Sequence, residues 1–257
     1  MAEYYFLGVS FPPLAIGQKP PISFQELRER LEANLTLPDW EKFKDLLRLI
    51  DLANIRAEWL EGPFDPHGNL SHKELEEALL VKEGLPGFII DYLERYDSIE
   101  DRLRFFPSLY TTLCLEMQEK YPDGFLHEYY RLEREIRLIL TALRAKHFGK
   151  DIVRELQFED PRDSLIAEII AQKDASEYNP PLDGLVLKTL FNRCVEDPKE
   201  LYKALLEYRF EKIEEMEQQG PFSIDAILGY AARLMLVESW NDLDNDRGKE
   251  LVERLSR

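Results

Sequence analysis

The sequence predicts an all-α protein, a multi-helix bundle of about a dozen helices with a short extended N-terminal arm. Three observations carry that expectation. Apolar residues recur at intervals of three and four along most of the chain. Helix-start signals stand where those stripes begin: "SFQE" at Ser23–Glu26 and "SHKE" at Ser71–Glu74 both fit the capping box, and "DPKE" at Asp197–Glu200 places Pro at the first helical position. Turn-forming clusters separate the stripes, as in "EGPFDPHGN" at 61–69, "YPDG" at 121–124, "EYNPPLDG" at 177–184 and "QQGPF" at 218–222.

Taken in order, the first element is the exception. "YYFLGVSF", Tyr4 to Phe11, is aromatic and β-prone. Pro12, Pro13 and the following "GQKPPIS" impose an extended path, so Tyr4–Phe11 reads as a short strand or arm packed on helices. Helices then follow near 24–35, 38–61, 71–81, 86–96, 98–104, 108–120 and 124–148, and near 162–173, 182–194, 198–218, 223–240 and 246–256. The 257 residues suffice for one helical domain, with possible lobes at 1–120 and 121–257.

Fifty acidic against 33 basic residues give a net charge of −17. Phosphate neutralisation needs clustered Lys and Arg, so nucleic acid and anionic lipid surfaces are poor partners. Cys114 and Cys194 are isolated in apolar contexts, "TTLCLEM" and "LFNRCVED", and read as buried thiols in a reducing compartment. The N-terminus is apolar without a basic region or a small-residue cleavage site, and no apolar run reaches the length of a membrane span. A soluble cytoplasmic protein is the expectation.

The longest stripe lies in "HEYYRLEREIRLILTALRAKHFGKD", His127 to Asp151. Phe125, Leu132, Ile136, Ile139, Leu140 and Leu143 share one face, while Glu133, Arg134, Arg137 and Arg144 fall off it and read as a solvated flank. Glu135 sits at the edge of the stripe, facing a partner or an intramolecular Arg.

Candidate chemistry is sparse. Phosphate-binding glycine patterns and nucleophile elbows are missing from the sequence. His67 and His72 are separated by a loop and a helix cap and read as ordinary surface residues. His127 and His147 are twenty apart on one helix, about 30 Å by helical rise, too far to share a site within it. In "WNDLDNDRGKELVERL", Asp242, Asp244, Asp246 and Glu253 have the ligand spacing of a calcium-binding EF-hand loop. Arg247 occupies the position that needs glycine, Gly248 comes one late, and Lys249 sits where an apolar residue locks the loop. The stretch also echoes the magnesium motif of terpene cyclases, with Asn245 in place of its Ser and Lys249 in place of its Glu. An acidic helix–helix connection that caps a final helix explains it better. The carboxylates of "EDPRD", "KIEEME" and "LEREI" fit coincidence at this acidity. No catalytic, cofactor or metal residue is assigned, and an enzyme is not expected.

Two resemblances bear on function. "YYFLGVSFPPL", followed by "PPIS" and a helix, resembles over residues 4–27 the start of an uncharacterised bacterial family encoded within V-type (A/V-type) ATPase gene clusters. The helical body resembles the C subunit of that ATPase, known by the letter d in eukaryotes, an all-α socket between rotor shaft and membrane ring. The residues in order are Tyr129, Tyr130, Glu133, Glu135, Ile136, Arg137 and Leu138, then Arg144, Lys146 and Gly149. "FKDLLRLIDLANIRAEWL", with Asp51 and Asn54, is a looser second copy. "GPFSIDAILGYAARLMLVESWNDL", with Pro221, Phe222 and Tyr230, is similar to the closing segment of the same socket protein. Departures stand beside these matches: Val237 takes the acidic position after Tyr230, Glu238 comes one residue late, and the copies are unevenly spaced. The resemblance implies a non-catalytic central-stalk subunit in ion or proton transport. Its partners would be the rotor shaft and the membrane ring, its location peripheral to the membrane through the complex.

Overall fold

A computed structural model shows the chain to be all-helical. It describes residues 4–217, 220 and 222–255, with side-chain surroundings as far as residue 243. Among the described residues there are thirteen α-helices and no strand. In order they are α1 (Tyr5–Ser10), α2 (Phe24–Asn34), α3 (Leu37–Leu46), α4 (Arg48–Trp59), α5 (His72–Val81), α6 (Gly87–Arg95) and α7 (Ile99–Lys120). Then come α8 (Gly124–His147), α9 (Ile152–Glu155), α10 (Ser164–Ala171), a 3₁₀ turn at Leu182–Gly184, α11 (Leu185–Cys194), α12 (Pro198–Met216) and α13 (Ile224–Leu255).

The starts follow the capping chemistry. Ser23 Oγ accepts from the Glu26 amide at 3.2 Å while Glu26 accepts from the Ser23 amide at 2.8 Å. Ser71 and Glu74 repeat the box, and Asp197 takes the amides of Lys199 and Glu200 ahead of Pro198. Each such cap is worth about 1 kcal/mol.

The chain divides into two compact units. One joins residues 1–46 to 194–257. In it α13 packs on α12, α2, α3 and α1. Leu27, Leu31, Phe43, Leu46, Ile227 and Leu234 are fully buried. The other unit is residues 47–193. There α8 packs on α7, α9 and α10, and α7 also meets α4 and α6. Residues 120 and 121, where lobes were expected to part, fall inside this second unit, between the mutually packed α7 and α8.

Several expectations need correction. Tyr4–Phe11 is not a strand: Tyr5–Ser10 is the short helix α1. In an all-α setting no strand edge is at hand to pair its backbone, and a helix satisfies the amides locally. Leu7 is buried, and the Tyr4 hydroxyl donates to Asp39 Oδ2 at 2.6 Å. The extended path begins only at Phe11, whose ring stacks on Tyr230 at 4.3 Å.

The expected helices 98–104 and 108–120 are one helix, α7, running through Pro107. Proline removes one amide there. The Ser108 hydroxyl donates to the Phe105 carbonyl, and packing on α4, α6 and α8 holds the helix together. The expected helix 38–61 divides at Leu47, a buried residue without any breaker in the sequence. Residues 223–240 and 246–256 do not flank a connection: α13 continues as helix from Ile224 to Leu255. The short α9 was not anticipated; Asp151 caps it by accepting from the Val153 amide. Both cysteines are buried thiols outside any disulfide, and burial pushes the Cys114 thiol up to about 12.

Candidate functional site

α8 is where the sequence places its most distinctive residues, and the fold treats them differently from expectation. Tyr130, Ile136 and Leu138 are fully buried, and so, nearly, are Glu133 and Arg134. Glu133 and Arg134 are therefore not solvated and Arg137 is half-buried, in a helix that packs on α7, α9 and α10. Arg144 does face solvent, as expected.

The chain between α9 and α10 supplies counter-charges. Glu159, whose side chain is only 2% exposed, accepts from Arg137 and, at 2.6 Å, from the Thr111 hydroxyl. Arg137 Nη2 also donates to Thr111 Oγ1 at 2.7 Å, and its guanidinium lies over the Tyr110 ring. Arg134 donates to Asp163 Oδ2 at 3.0 Å and stands 3.7 Å from Glu159 Oε2. Asp163 in turn caps α10 through the amides of Leu165 and Ile166. While Asp160 and Arg162 pair with each other at the surface, Arg134 of "LEREI" and the adjacent Arg137 thus meet Glu159 and Asp163 of "EDPRD" in a largely buried network joining α7, α8 and the start of α10. Coincidence is the wrong account of them.

"KIEEME" has a counterpart in the other unit. Arg233 of α13 pairs with both oxygens of Glu217 at 2.7 and 2.6 Å, meets Glu214 at 3.0 Å and stacks on Phe210. Burial dominates at Glu217 and holds its carboxyl above the usual carboxylate range despite Arg233. In the same unit Glu238, one residue late for the resemblance, accepts from the Phe24 amide at 2.8 Å and caps α2. Val237 is fully buried in its place. Tyr230 donates to the Pro12 carbonyl at 3.0 Å, and burial pushes its hydroxyl up to about 12. Pro221 lies outside the described residues.

Asp51 and Asn54 of α4 fasten the loop 61–71. Asp51 accepts from the Asn69 amide and side chain, both at 2.6 Å. Asn54 exchanges two 2.8 Å bonds with the Asp65 backbone. Gly68 lies so close that a Cβ there would stand 2.9 Å from Asp51 Oδ1. His67 is buried rather than superficial, its Nδ1 2.5 Å from Asp65 Oδ1. Burial opposes ionisation of Asp65, but the hydrogen bonds from the His67 ring and amide outweigh it and hold the carboxyl below its usual range. A depressed carboxyl adds stability above its unfolded value of about 4 that is lost as pH falls through the folded one. The urea midpoint should therefore drop between about pH 5 and about pH 3, and the drop should be shallower in Asp65→Asn.

His72, by contrast, is exposed, as expected. Its Nε2 lies 2.9 Å from Glu58 Oε2 and 3.8 Å from Glu76 Oε1. Glu135 is half-buried and pairs with Arg131 at 2.7 Å, an intramolecular Arg one turn back. Asp242 is exposed at the rim of a cavity of about 810 Å³ lined by Pro20, Pro21, Glu26 and Glu238. The side chains of Asp244 and Asp246 lie outside the described residues. The backbone through all three is helical, not the turn a calcium loop requires. His127 Nδ1 donates to the Tyr121 carbonyl at 2.9 Å, and His147 packs edge-on to Phe191, so neither faces the other along α8.

Residues 1–257 match the family described as protein of unknown function DUF2764. The chain belongs to that family. Proteins described only as uncharacterised are similar to this DUF2764 chain over its whole length. One from Chlamydia muridarum (strain MoPn / Nigg) is 29% identical over 263 residues, covering 100% of this chain and 98% of the relative. One from Chlamydia pneumoniae is 26% identical over 264 residues with the same coverage. The C subunit of an A-type ATP synthase from Desulfurococcus sp. (strain SY) is 30% identical over 185 residues, 63% of this chain and 47% of that protein. No solved structure matches the DUF2764 chain. Among its described residues, no helix is long and apolar enough to cross a membrane.

Proposed function

We propose that this DUF2764 protein is a non-catalytic subunit of a V-type ATPase, a linker between rotor shaft and membrane ring like that enzyme's C subunit, and encoded among its genes. The observation that carries the reading is the 30% identity to the C subunit of an A-type ATP synthase over 185 residues. The all-helical architecture and the charge of −17 support it, since an acidic body complements basic segments of a shaft or of ring loops. So do exposed apolar side chains in both units: Phe6 is 74% exposed in one, Leu80 and Leu182 each 84% in the other. Apolar tips among carboxylates suit partners that present an apolar stripe with basic flanks.

The function would be mechanical. Buried Arg–carboxylate networks stiffen each unit, and binding surface on its outside transmits torque without chemistry. Co-expressed with the ATPase shaft subunits of its own organism, the protein should co-purify with them in stoichiometric amount, and alone it should not hydrolyse ATP. An empty pull-down, or sustained ATP turnover by the isolated protein, would sink the reading. Glu135→Lys suits this assay, because the residue is half-buried and its Arg131 partner lies on the exposed side of α8. No observation favours a metal-dependent enzyme built on Asp242, Asp244 and Asp246.

A further inference from the structure

We propose that Glu58, His72 and Glu76 form a binding site for one divalent transition-metal ion, zinc above all, which clips the 61–71 loop at its two ends. The proposal is independent of the stalk reading. Glu58 lies in the last turn of α4, His72 is the first residue of α5, and Glu76 follows one turn later on the same face. The three donor atoms all lie within 4.8 Å of one another, with His72 Nε2 at 2.9 Å from Glu58 and 3.8 Å from Glu76. Tetrahedral zinc with ligand distances of about 2.0–2.2 Å sets its donors about 3.4 Å apart. The observed separations straddle that value, so small rotations of the side chains close the shell around an ion. One imidazole and two carboxylates leave the fourth position for water. A mixed nitrogen–oxygen set favours zinc, copper or nickel over calcium or magnesium, which prefer oxygen alone.

Two further features favour an ion. The imidazole Nε2 carries at most one proton, so it answers only one of two converging carboxylates, whereas a divalent cation answers both and uses the imidazole as a ligand. The donors are also already assembled. The Ser71–Glu74 box fixes the start of α5, Asp51 and Asn54 hold the loop between the donors, and the Phe64 ring packs against His72 at 5.2 Å. Binding therefore orders little additional chain.

The test uses the full-length protein freed of metal, titrated with zinc chloride by calorimetry and with cobalt(II) by visible absorption. One equivalent should bind with a dissociation constant of about 1–10 µM, and the cobalt complex should show the intense visible bands of a tetrahedral site. Zinc should raise the melting temperature of the wild type. His72→Ala and Glu76→Gln, both at exposed positions, should each weaken binding about tenfold or more and abolish the thermal shift. Circular dichroism of the variants establishes that they fold. The proposal fails if the wild type shows no saturable binding below about 100 µM, or if both folded variants bind as the wild type does.

Discussion

Glu159→Gln should destabilise the protein by about 3 kcal/mol, because it removes the buried counter-charge of the half-buried Arg137 and the second carboxylate beside the buried Arg134. Glutamine keeps the shape and still accepts from Thr111, so the loss is mainly that of the charge. Arg137 suffers most, since Arg134 retains Asp163 at 3.0 Å. At about 2–4 °C per kcal/mol for a protein of this size, the melting temperature should fall by about 10 °C. Urea denaturation of wild type and variant measures it directly; a loss below about 1 kcal/mol would mean that solvent compensates the two arginines. The network is not optimal for stability alone. Glu159 Oε2 and the Nε atoms of Arg134 and Arg137 are buried without hydrogen-bond partners. Replacing Arg134, Arg137 and Glu159 together by apolar residues should therefore cost far less than the single change. Charge reversal at Arg137 consequently reports on folding, and Glu135 is the residue on α8 through which partner binding is testable.

Arg233→Met should cost about 2–3 kcal/mol at neutral pH and noticeably less near pH 5, a difference set by Glu217. Both oxygens of that carboxylate are held by Arg233, and burial already lifts its titration above the ordinary range. Removal of the guanidinium lifts it further. A raised carboxyl is penalised in the folded state above its folded pKa and relieved as it protonates, so the defect shrinks as pH falls. Urea midpoints of wild type and variant at the two pH values decide it; a pH-independent defect would assign the effect to lost packing on Phe210 instead. Gly229 sharpens the point, since a Cβ there would stand 2.5 Å from Glu217 Cγ. Gly229→Ala should disturb the same pair without touching a charge.

Much of the helical architecture was legible because its signals are local. The boxes at Ser23 and Ser71, the Asp197–Pro198 start and the loops at 61–69 and 121–124 act over a few residues, and the structure repeats them. Tyr5–Ser10 misled because aromatic residues mark a strand only where another strand is available. Pro107 misled because packing on three neighbours outweighs one missing amide.

The sequence by itself determined the helical class, most helix boundaries, the buried thiols and the partial similarity to an ATP synthase C subunit. These depend on periodicity, caps and composition, which are properties of short segments. Only the tertiary structure decided what the charges are for. Arg137 finds Glu159 twenty-two residues on, Arg233 finds Glu217 sixteen back, and His72 meets Glu58 across a loop instead of His67. Unlike the i,i+4 pair of Arg131 and Glu135, no local pattern encodes such partners, because these pairs form only where folding brings two elements together. Where Arg134 and Arg137 meet Glu159 and Asp163, that meeting turned part of an apparently solvated flank into a largely buried network.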